Sequence, residues 1–453
     1  MKNNFPRLII AATQSGAGKT TITAGLIRAL KNRGLDVQPY KVGPDYIDTG
    51  WHELAGGKIS HNLDSRLVGA DKLKEIFTAT SRGADISVIE GVMGLYDGGR
   101  GGVSSTAEIS KLLDAPVVLI IDVKSMGTSA AAVALGFREF DRSVNLAGVI
   151  LNRVGSPSHA QIVTEALDSL GIKVFGAIKR DDEFVLPERH LGLVPTAENK
   201  NSSALEKICA AVEFQVDVAA LIELAKNSSP LQTTNPQSLI PYPYKKIAVA
   251  RDEAFNFYYG AGLRELENFG AEIVYFSPLD DERLPENIDG LIIGGGFPEM
   301  FAARLERNKK IRAEIFHAAE NGLPIFAECG GFMYLLKNLI DFDGKSFEMC
   351  GVLDGAATMT RKLQTVGYVR AEILRDCVLG RAGEKFWAHE FHFSTAESSD
   401  EKIFRCTRLR TGSEYFAGAV KKNVVASYLH LHFAGCPNLA ENFINACKPS
   451  FVE

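Results

Sequence analysis

The chain has 453 residues, more than a single hydrophobic core usually organises, so we expect two domains. With 46% hydrophobic and 23% charged residues, the composition is that of an ordinary globular protein. The formal net charge of −5 gives no bulk reason to expect nucleic acid or an anionic membrane surface as a partner.

The seven cysteines are odd in number and are never spaced as C-x-x-C, which argues against a disulfide framework and a zinc ribbon. No apolar run reaches the ~20 residues of a membrane span, and none follows the N-terminal charges as it would in a signal peptide. We therefore expect a cytoplasmic protein that does not contact a membrane.

Short β-branched runs alternate with helical patterns through the first part of the chain. The runs RLIIA, DISVIEG, APVVLIIDV, LAGVILNRV and IKVFGAIKR are typical of interior strands in a parallel sheet. This alternation predicts a doubly wound α/β domain over residues 1–225.

Proline and small polar residues then replace the periodic pattern, which predicts a linker over residues 226–244. After the linker the alternation restarts with KIAVARD, AEIVYF, IDGLIIGGG and LPIFAEC. The sequence therefore predicts a second α/β domain over residues 245–453, with a sheet of its own.

The stretch ATQSGAGKTT lies between an apolar strand and a helical pattern that stops at Gly34. Glycines in this setting let backbone N–H groups and a helix N-terminus approach phosphates, and Lys19 places a cation on the β and γ phosphates. Thr20 would ligate Mg²⁺, although Thr13 stands where the usual motif has its first glycine. The alternative is a glycine-rich turn that binds nothing. The predicted nucleotide-binding residues of this loop are Ser15, Gly16, Ala17, Gly18, Lys19, Thr20 and Thr21.

Two acidic loops, KVGPDYIDTGWHE and SVIEGVMGLYDGGRGG, each follow a predicted strand, where open α/β sheets build their sites. Glu90 comes directly after an apolar run, at a position where a strand-end carboxylate holds Mg²⁺ or its water. Asp45, Asp48 and Asp97 have no local charge partner in the sequence, and each has the alternative role of an ordinary turn residue. Carboxylates that face a triphosphate need a compensating cation, so we expect Mg²⁺.

In the second domain, IFAECGGFMYL places Cys329 at a sharp turn from strand to helix, which exposes the side chain and is expected to lower the pKa of its thiol. His430 and His432 alternate on a predicted strand in ASYLHLHFAG, and we favour His430 as the base. The turn LIIGGGFPEMF offers the N–H groups of Gly295 and Gly296 to a tetrahedral oxyanion.

These motifs carry a resemblance that covers almost the whole chain. The phosphate loop, KVGPDYID, EGVMGLYDG and LNRVGSPSHA resemble the synthetase half of cobyrinic acid a,c-diamide synthases, which is similar to dethiobiotin synthetase. The cysteine, histidine and glycine turn resemble a class I glutamine amidotransferase domain of the triad type. Most class I members carry a glutamate two residues after the histidine, where this chain has His432, so the third triad member stays open. Glu390 in WAHEFHFS is one candidate to orient a histidine.

The resemblance implies ATP and Mg²⁺ as cofactors, with a substrate carboxylate converted to an acyl phosphate. It also implies cobyrinic acid or a related tetrapyrrole and L-glutamine as small-molecule substrates, and either a monomer or a homodimer. By motif position it assigns Mg²⁺ to Thr20, Asp45 and Glu90, the tetrapyrrole carboxylate or the acyl phosphate to Asp48 and Asp97, and the adenine edge to Asn152.

The two predicted sites would serve one overall reaction, in which ammonia released from glutamine at one site attacks a carboxylate activated by ATP at the other. Ammonia must arrive unprotonated, so we expect a sheltered route or a contact between the domains. A partitioning-type switch ATPase is a different alternative, but such proteins carry a second lysine where this loop has Ser15, and the second domain would have no role. Among sister enzymes the motifs disfavour cobyric acid synthase, whereas amidation of nickel-sirohydrochlorin or hydrogenobyrinic acid stays open.

Overall fold

The computed structural model describes residues 2–99, 101–181, 184, 188–189, 192–193, 203–232 and 245–447. The chain divides into two compact units, Met1–Pro236 and Gln237–Glu453, here called the first and second units. Each unit has its own sheet, which confirms the predicted fold class of two successive α/β domains.

The first unit is built on a seven-stranded sheet in which every neighbouring pair is parallel, in the order β4-β3-β5-β2-β6-β7-β8. All six residues of the central strand β2 are buried, as expected for the continuous apolar run that the sequence shows. The strands are β1 (Lys2–Asn3), β2 (Arg7–Ala12), β3 (Val37–Val42), β4 (His61–Leu63), β5 (Ile86–Glu90), β6 (Val117–Asp122), β7 (Leu146–Val154), β8 (Val174–Lys179), β9 (Glu188–Arg189), β10 (Gly192–Leu193) and β11 (Leu231–Gln232).

Nine helices are described in the first unit, and the apolar sides of α1, α2, α8 and α9 share one buried core with residues of the sheet. The first ends at Asn32, where Arg33 caps it and Gly34 follows with a φ of 84°, so the predicted glycine stop is present. The helices are α1 (Lys19–Asn32), α2 (Ile47–Gly56), α3 (Ser65–Val68), α4 (Ala70–Thr80), α5 (Thr106–Leu112), α6 (Ser129–Phe140), α7 (Pro157–Asp168), α8 (Ser203–Gln215) and α9 (Val218–Lys226).

The second unit has a six-stranded sheet in the order β13-β12-β14-β15-β25-β24, parallel except for its last pair. Its strands are β12 (Lys245–Ala250), β13 (Ala271–Phe276), β14 (Gly290–Ile293), β15 (Ile325–Glu328), β24 (Ala419–Lys421) and β25 (Val424–Ser427), and its helices are α10 (Gly260–Asn268), α11 (Ala302–Arg307), α12 (Lys309–Glu320), α13 (Gly330–Leu335) and α14 (Pro437–Ala446).

Two further sheets of the second unit do not appear in the sequence-based prediction. They have the orders β17-β16-β18-β21 and β23-β22-β19-β20-β26. Their strands are partly exposed and carry charged residues, so they lack the continuous apolar runs that mark interior parallel strands. They are β16 (Asn338–Ile340), β17 (Ser346–Glu348), β18 (Gly355–Met359), β19 (Thr365–Ile373), β20 (Lys385–His392), β21 (Ser394–Ser398), β22 (Phe404–Arg408), β23 (Glu414–Ala417) and β26 (His430–Leu431).

The start of the predicted linker belongs to the first unit, because β11 pairs with β1 and Ser228 hydrogen-bonds to Arg7. The remainder of the predicted linker, residues 233–244, lies outside the described residues. Within the described part of the chain, no helix is long and apolar enough to cross a membrane.

Candidate functional sites

The phosphate loop joins the end of β2 to the start of α1, at the carboxyl edge of the parallel sheet. Gly16 and Gly18 have φ values of 76° and 95°, a region that L side chains rarely adopt, so both glycines are needed for this turn. Lys19 opens α1, is 7% exposed and donates from Nζ to the Met93 carbonyl at 2.6 Å. The loop therefore directs a lysine and a helix N-terminus at one place, as phosphate binding requires.

Asn152, near the end of β7, holds this loop from the other side. Its Nδ2 donates to the carbonyl of Ala17 at 2.8 Å, and its Oδ1 accepts from the Arg153 N–H at 2.9 Å. A Cβ on Gly18 would lie 2.4 Å from Asn152 Nδ2, so only glycine permits this approach. Asn152 thus positions the loop directly, and its assignment to the adenine edge stays a prediction.

A buried polar cluster lies beside the loop and is centred on Glu90 at the end of β5. Glu90 is fully buried, and its Oε1 accepts from Thr20 Oγ1 and from Lys41 Nζ, both at 2.8 Å. Lys41 also donates to Asp48 Oδ2 at 2.5 Å, and Thr20 Oγ1 lies 3.2 Å from the same oxygen. His52 contacts the other oxygen of Glu90 at 2.6 Å. The structure therefore brings together three predicted residues, Thr20, Asp48 and Glu90, around a lysine.

The buried charges of this cluster stabilise Lys41 and Glu90 but not Asp48, because burial and the neighbouring carboxylates of Asp45 and Glu90 raise the pKa of Asp48 well above its usual range despite Lys41. Burial disfavours a charged Lys41, but the carboxylates of Asp48, Glu90 and Asp45 outweigh it and raise the pKa of Lys41. Burial likewise disfavours a charged Glu90, but Lys41 and His52 together hold the pKa of Glu90 far below its usual range. Both Lys41 and Glu90 are therefore charged at neutral pH.

The other two predicted acids lie differently. Asp45 Oδ1 accepts from the N–H groups of Ile47 and Asp48 at the start of α2, and its Oδ2 lies 4.0 Å from Lys41 Nζ. Asp97 accepts from the Gly94 N–H at 3.0 Å and closes its own glycine-rich loop. Asp45 thus borders the cluster, while the described contacts of Asp97 are those of a turn residue.

The residues around Glu90 fit a magnesium ion. The Thr20 hydroxyl and the carboxylates of Asp48 and Glu90 converge as hard oxygen donors, the type that Mg²⁺ prefers. The described residues contain no group of three His, Cys, Asp or Glu that could enclose a metal ion by itself. Nucleotide-bound Mg²⁺ commonly uses only one or two carboxylates together with phosphates and waters, and these three oxygen groups are compatible with a site of that kind.

The second unit places Cys329 between β15 and α13 with a φ of 48° and a ψ of −103°, which is the strained turn that the sequence predicts. A Cβ on Gly331 would lie 2.1 Å from the Ile293 carbonyl oxygen, so glycine lets α13 approach β14 closely. The predicted lowering of the thiol pKa is wrong for this structure. Burial, reinforced by the charge of Glu299, raises the pKa of Cys329 and outweighs the Gly330 N–H that favours the thiolate.

His430 lies on β26, directly opposite His389 on β20, and is 2% exposed. A Cβ on Gly295 would lie 2.6 Å from His430 Cε1, so the imidazole edge rests against the predicted oxyanion turn. Gly296 in turn lies against Gly330, the residue after the nucleophile, because a Cβ on Gly330 would be 3.1 Å from the Gly296 nitrogen. The cysteine turn, the histidine and both predicted glycines are therefore neighbours.

The other candidates around His430 are placed elsewhere. His432 stacks on Tyr259 with ring centroids 4.5 Å apart, because β26 ends at Leu431 and the chain turns there. Glu390 follows His389 on β20 and so faces the opposite side of the sheet, where it accepts a hydrogen bond from Tyr415. Glu390 is therefore not the residue that orients His430.

Comparison with known proteins agrees with this division of the chain. Residues 8–194 match the CobQ/CobB/MinD/ParA nucleotide binding domain, and residues 246–437 match the CobB/CobQ-like glutamine amidotransferase domain. A cobyrinate a,c-diamide synthase from Dehalococcoides mccartyi is 43% identical over 98% of this chain and 99% of that protein. The chain belongs to the cobyrinate a,c-diamide synthase family.

Two further members of the cobyrinate a,c-diamide synthase family illustrate its range. A cobyrinate a,c-diamide synthase from Caldanaerobacter subterraneus is 44% identical over 97% of this chain and 98% of that protein. A hydrogenobyrinate a,c-diamide synthase from Streptomyces coelicolor is 41% identical over 98% of each chain.

The sequence does not single out Lys41 or His52 as site residues, although both lie in the acidic stretch that contains Asp48. Each is buried, Lys41 at 2% and His52 at 0% exposure, and each contacts Glu90. A lysine at the end of a buried strand is the signal that was available, because a buried ammonium requires carboxylate partners.

A cavity of about 380 Å³ next to the phosphate loop also goes beyond the sequence-based prediction. Predicted residues Gly18, Thr21 and Asn152 line it together with the side chains of Lys124 and Phe184. Apolar and basic groups from α1, β8, α8 and intervening loops, which are far apart in the chain, meet there, and nothing in the local sequence indicates that they would. The cavity lies beside the loop of the part of the chain that matches a nucleotide-binding domain.

Proposed function

We propose that this chain is a carbon–nitrogen ligase of the cytoplasm that uses ATP and L-glutamine to amidate the a and c acetate carboxylates of cobyrinic acid. The observation that carries the proposal is the presence, in one chain, of a phosphate loop facing the Glu90 cluster and a cysteine turn facing His430. The function of either site alone gives no reason for the other to be present in the same chain. Nitrogen transfer from glutamine to an activated carboxylate requires both sites.

In the second unit, Cys329 Sγ attacks the side-chain amide carbon of glutamine while its proton moves to His430. The N–H groups at Gly295 and Gly296 are proposed to bind the oxyanion that develops. The C–N bond then breaks, His430 returns the proton to the leaving nitrogen, and ammonia departs from a glutamyl thioester. Water hydrolyses this thioester to glutamate and restores the thiol.

In the first unit, Lys19 and the loop amides would hold the β and γ phosphates of ATP, and Thr20, Asp48 and Glu90 would hold Mg²⁺. When bound, Mg²⁺ neutralises charge that develops on the phosphates. An oxygen of the substrate carboxylate attacks the γ phosphorus, ADP leaves, and an acyl phosphate remains. Ammonia then attacks the acyl carbon, phosphate leaves, and the amide forms. Lys41 keeps Asp48 and Glu90 correctly placed throughout.

The substrate is tested by mass spectrometry of the tetrapyrrole after separate incubations with cobyrinic acid, hydrogenobyrinic acid and nickel-sirohydrochlorin, each with ATP, Mg²⁺ and glutamine. We expect two amide substitutions on cobyrinic acid. Preferential turnover of hydrogenobyrinic acid would show that the enzyme instead has the activity for which the Streptomyces coelicolor relative is named. ATP hydrolysis without any amide product would contradict the proposal and favour the switch ATPase.

A further inference from the structure

The strand that leads to Cys329 ends in a buried carboxylate. Ile325, Phe326 and Ala327 of β15 are fully buried, and Glu328, the next residue, is only 7% exposed. A carboxylate in such surroundings is costly unless it is hydrogen-bonded or paired with a positive charge. Glu328, directly before the nucleophile, therefore needs a hydrogen-bond donor or a positive charge nearby.

The partner lies on β26. Glu328 Oε1 accepts from the Leu431 N–H at 2.7 Å, which fixes the carboxylate beside the preceding residue, His430. The second oxygen, Oε2, lies 3.9 Å from His430 Nδ1. The adjoining Cε1 edge of the same ring rests against Gly295, in the turn that neighbours Gly330. The imidazole thus extends from Glu328 at Nδ1 towards the cysteine turn.

We propose that Glu328 is the positioning carboxylate of the cysteine–histidine pair, favouring the His430 tautomer protonated on Nδ1, in which the unprotonated Nε2 accepts the thiol proton. This inference rests on the proposed glutaminase function of Cys329 and His430. It assigns the third triad member to the residue before the nucleophile, in place of one that follows the histidine in sequence.

The proton balance of this arrangement is simple. The thiol proton moves from Cys329 Sγ to His430 Nε2, and the imidazolium that results is stabilised by the Glu328 carboxylate at Nδ1. The same proton leaves Nε2 for the nitrogen of ammonia, and water supplies its replacement during thioester hydrolysis. Glu328 Oε2 lies 3.9 Å from Nδ1 in this structure and would approach to hydrogen-bond distance as the imidazolium forms, without itself exchanging a proton.

Burial raises the pKa of Glu328 to about 8, against the lowering effect of the Leu431 N–H. The groups that face Glu328 besides His430 and Cys329 are Tyr258 and Cys436, and burial raises the pKa of each above its usual range, so neither gains charge near neutrality. Ionised Glu328 can only accept from Nδ1–H and carries the charge that stabilises an imidazolium, whereas the protonated acid is a weaker acceptor and can also donate to the imidazole. The glutaminase kcat is therefore expected to rise with pH up to about pH 8.

The test compares Glu328→Gln, Glu328→Asp and the matched control Glu390→Gln in the full-length protein. Glutamate release from glutamine gives kcat and KM, and iodoacetamide labelling of the Cys329 peptide reports thiolate reactivity independently of turnover. Glu328→Gln keeps an oxygen for the Leu431 N–H but presents a donor to Nδ1, which favours the wrong tautomer. We expect it to lower kcat by about 100-fold or more with little change in KM, and to remove the rise of kcat with pH.

Glu328→Asp keeps the charge and is expected to recover part of kcat. Glu390→Gln, on the opposite face of the sheet, removes only the smallest of the effects that raise the pKa of Cys329, so it is expected to change kcat by no more than about twofold. If Glu328→Gln kept at least a third of wild-type kcat, or if Asp and Gln were equally inactive and equally destabilised, the positioning role would be wrong. Should Glu328→Gln fail to fold, a wild-type kcat that is flat between about pH 6 and 9 would overturn it instead. Cys329→Ala separates the two hypotheses, because glutaminase activity in that variant would refute the proposed function itself.

Discussion

Gly18 and Asn152 decide how closely the phosphate loop approaches its support. An alanine at Gly18 would have to keep a φ of 95° and would bring its Cβ within 2.4 Å of Asn152 Nδ2, the atom that bonds to Ala17. We expect Gly18→Ala to reduce the ATP affinity at least tenfold and to destabilise the first unit by roughly 2 kcal/mol. Isothermal titration with ATP and Mg²⁺, together with thermal unfolding, measures both effects.

Gly16→Ala is the matched control for this prediction, since Gly16 has a similar φ of 76° but no atom within 4 Å of the position that an added methyl group would take. It should show the backbone cost of about 1 kcal/mol without the collision. The double variant Gly18→Ala, Asn152→Ala removes the side-chain amide with which the alanine Cβ would collide. Its losses of ATP affinity and stability should therefore be smaller than the sum of those of the two single variants. Equal losses from the Gly16 and Gly18 variants would show that the contact with Asn152 is unimportant.

Among the secondary-structure elements, β2 is tied at its start to two distant segments of the first unit by Arg7. The buried guanidinium of Arg7 donates to the carbonyls of Phe5, Leu113, Asp114 and Ser229 at 2.6–3.0 Å. Burial lowers the pKa of Arg7 to about 10, against the opposing charge of Asp114, so Arg7 stays charged at neutral pH.

Arg7→Met leaves these carbonyls without their donors, and we expect it to lower the free energy of unfolding of the first unit by roughly 3 kcal/mol or more. Urea unfolding measured through Trp51, which is buried in the first unit, gives this value in a Trp387→Phe background. Arg142→Met is the control, because the Arg142 side chain is 83% exposed and its change should cost about 0.5 kcal/mol or less. A similar small loss for both variants would contradict the role given to Arg7.

Across the whole chain, each described site is built from residues of one unit only. We therefore expect the two half-reactions to respond separately to substitution. Cys329→Ala should abolish amidation with glutamine but retain it with added ammonia, whereas Lys19→Met should abolish amidation with either nitrogen source. Product formation under both conditions, measured by mass spectrometry, tests the separation.

Cys377→Ala is the control for the cysteine change, because it removes a different, partly buried thiol of the second unit. The Cys377→Ala variant should retain amidation with glutamine and with added ammonia. Loss of ammonia-dependent amidation in a folded Cys329→Ala protein would mean that Cys329 has a structural role, and the assignment of its thiol as nucleophile would then fail.

Features that depend on neighbouring residues could be predicted from the amino-acid sequence. Continuous apolar runs indicated the interior strands, the glycines before Lys19 indicated the phosphate loop, and the glycines after Cys329 indicated the sharp turn. These features are local, because side-chain period, allowed φ values and helix termini are set within a few residues of one another. The limits predicted for the two domains stay a prediction.

Which polar groups meet depends instead on the tertiary structure. Glu90 contacts Lys41 because β3 and β5 are neighbours in the sheet, and it contacts His52 because α2 follows β3. Glu328 comes within 3.9 Å of His430, 102 positions later in the sequence, because β26 follows β25, the neighbour of β15. Strand order and register set these contacts, and a shift of one residue turns a side chain to the other face, as Glu390 illustrates. Local sequence carries no record of strand order, so Glu328 could be proposed as the acid that orients His430 only from the tertiary structure.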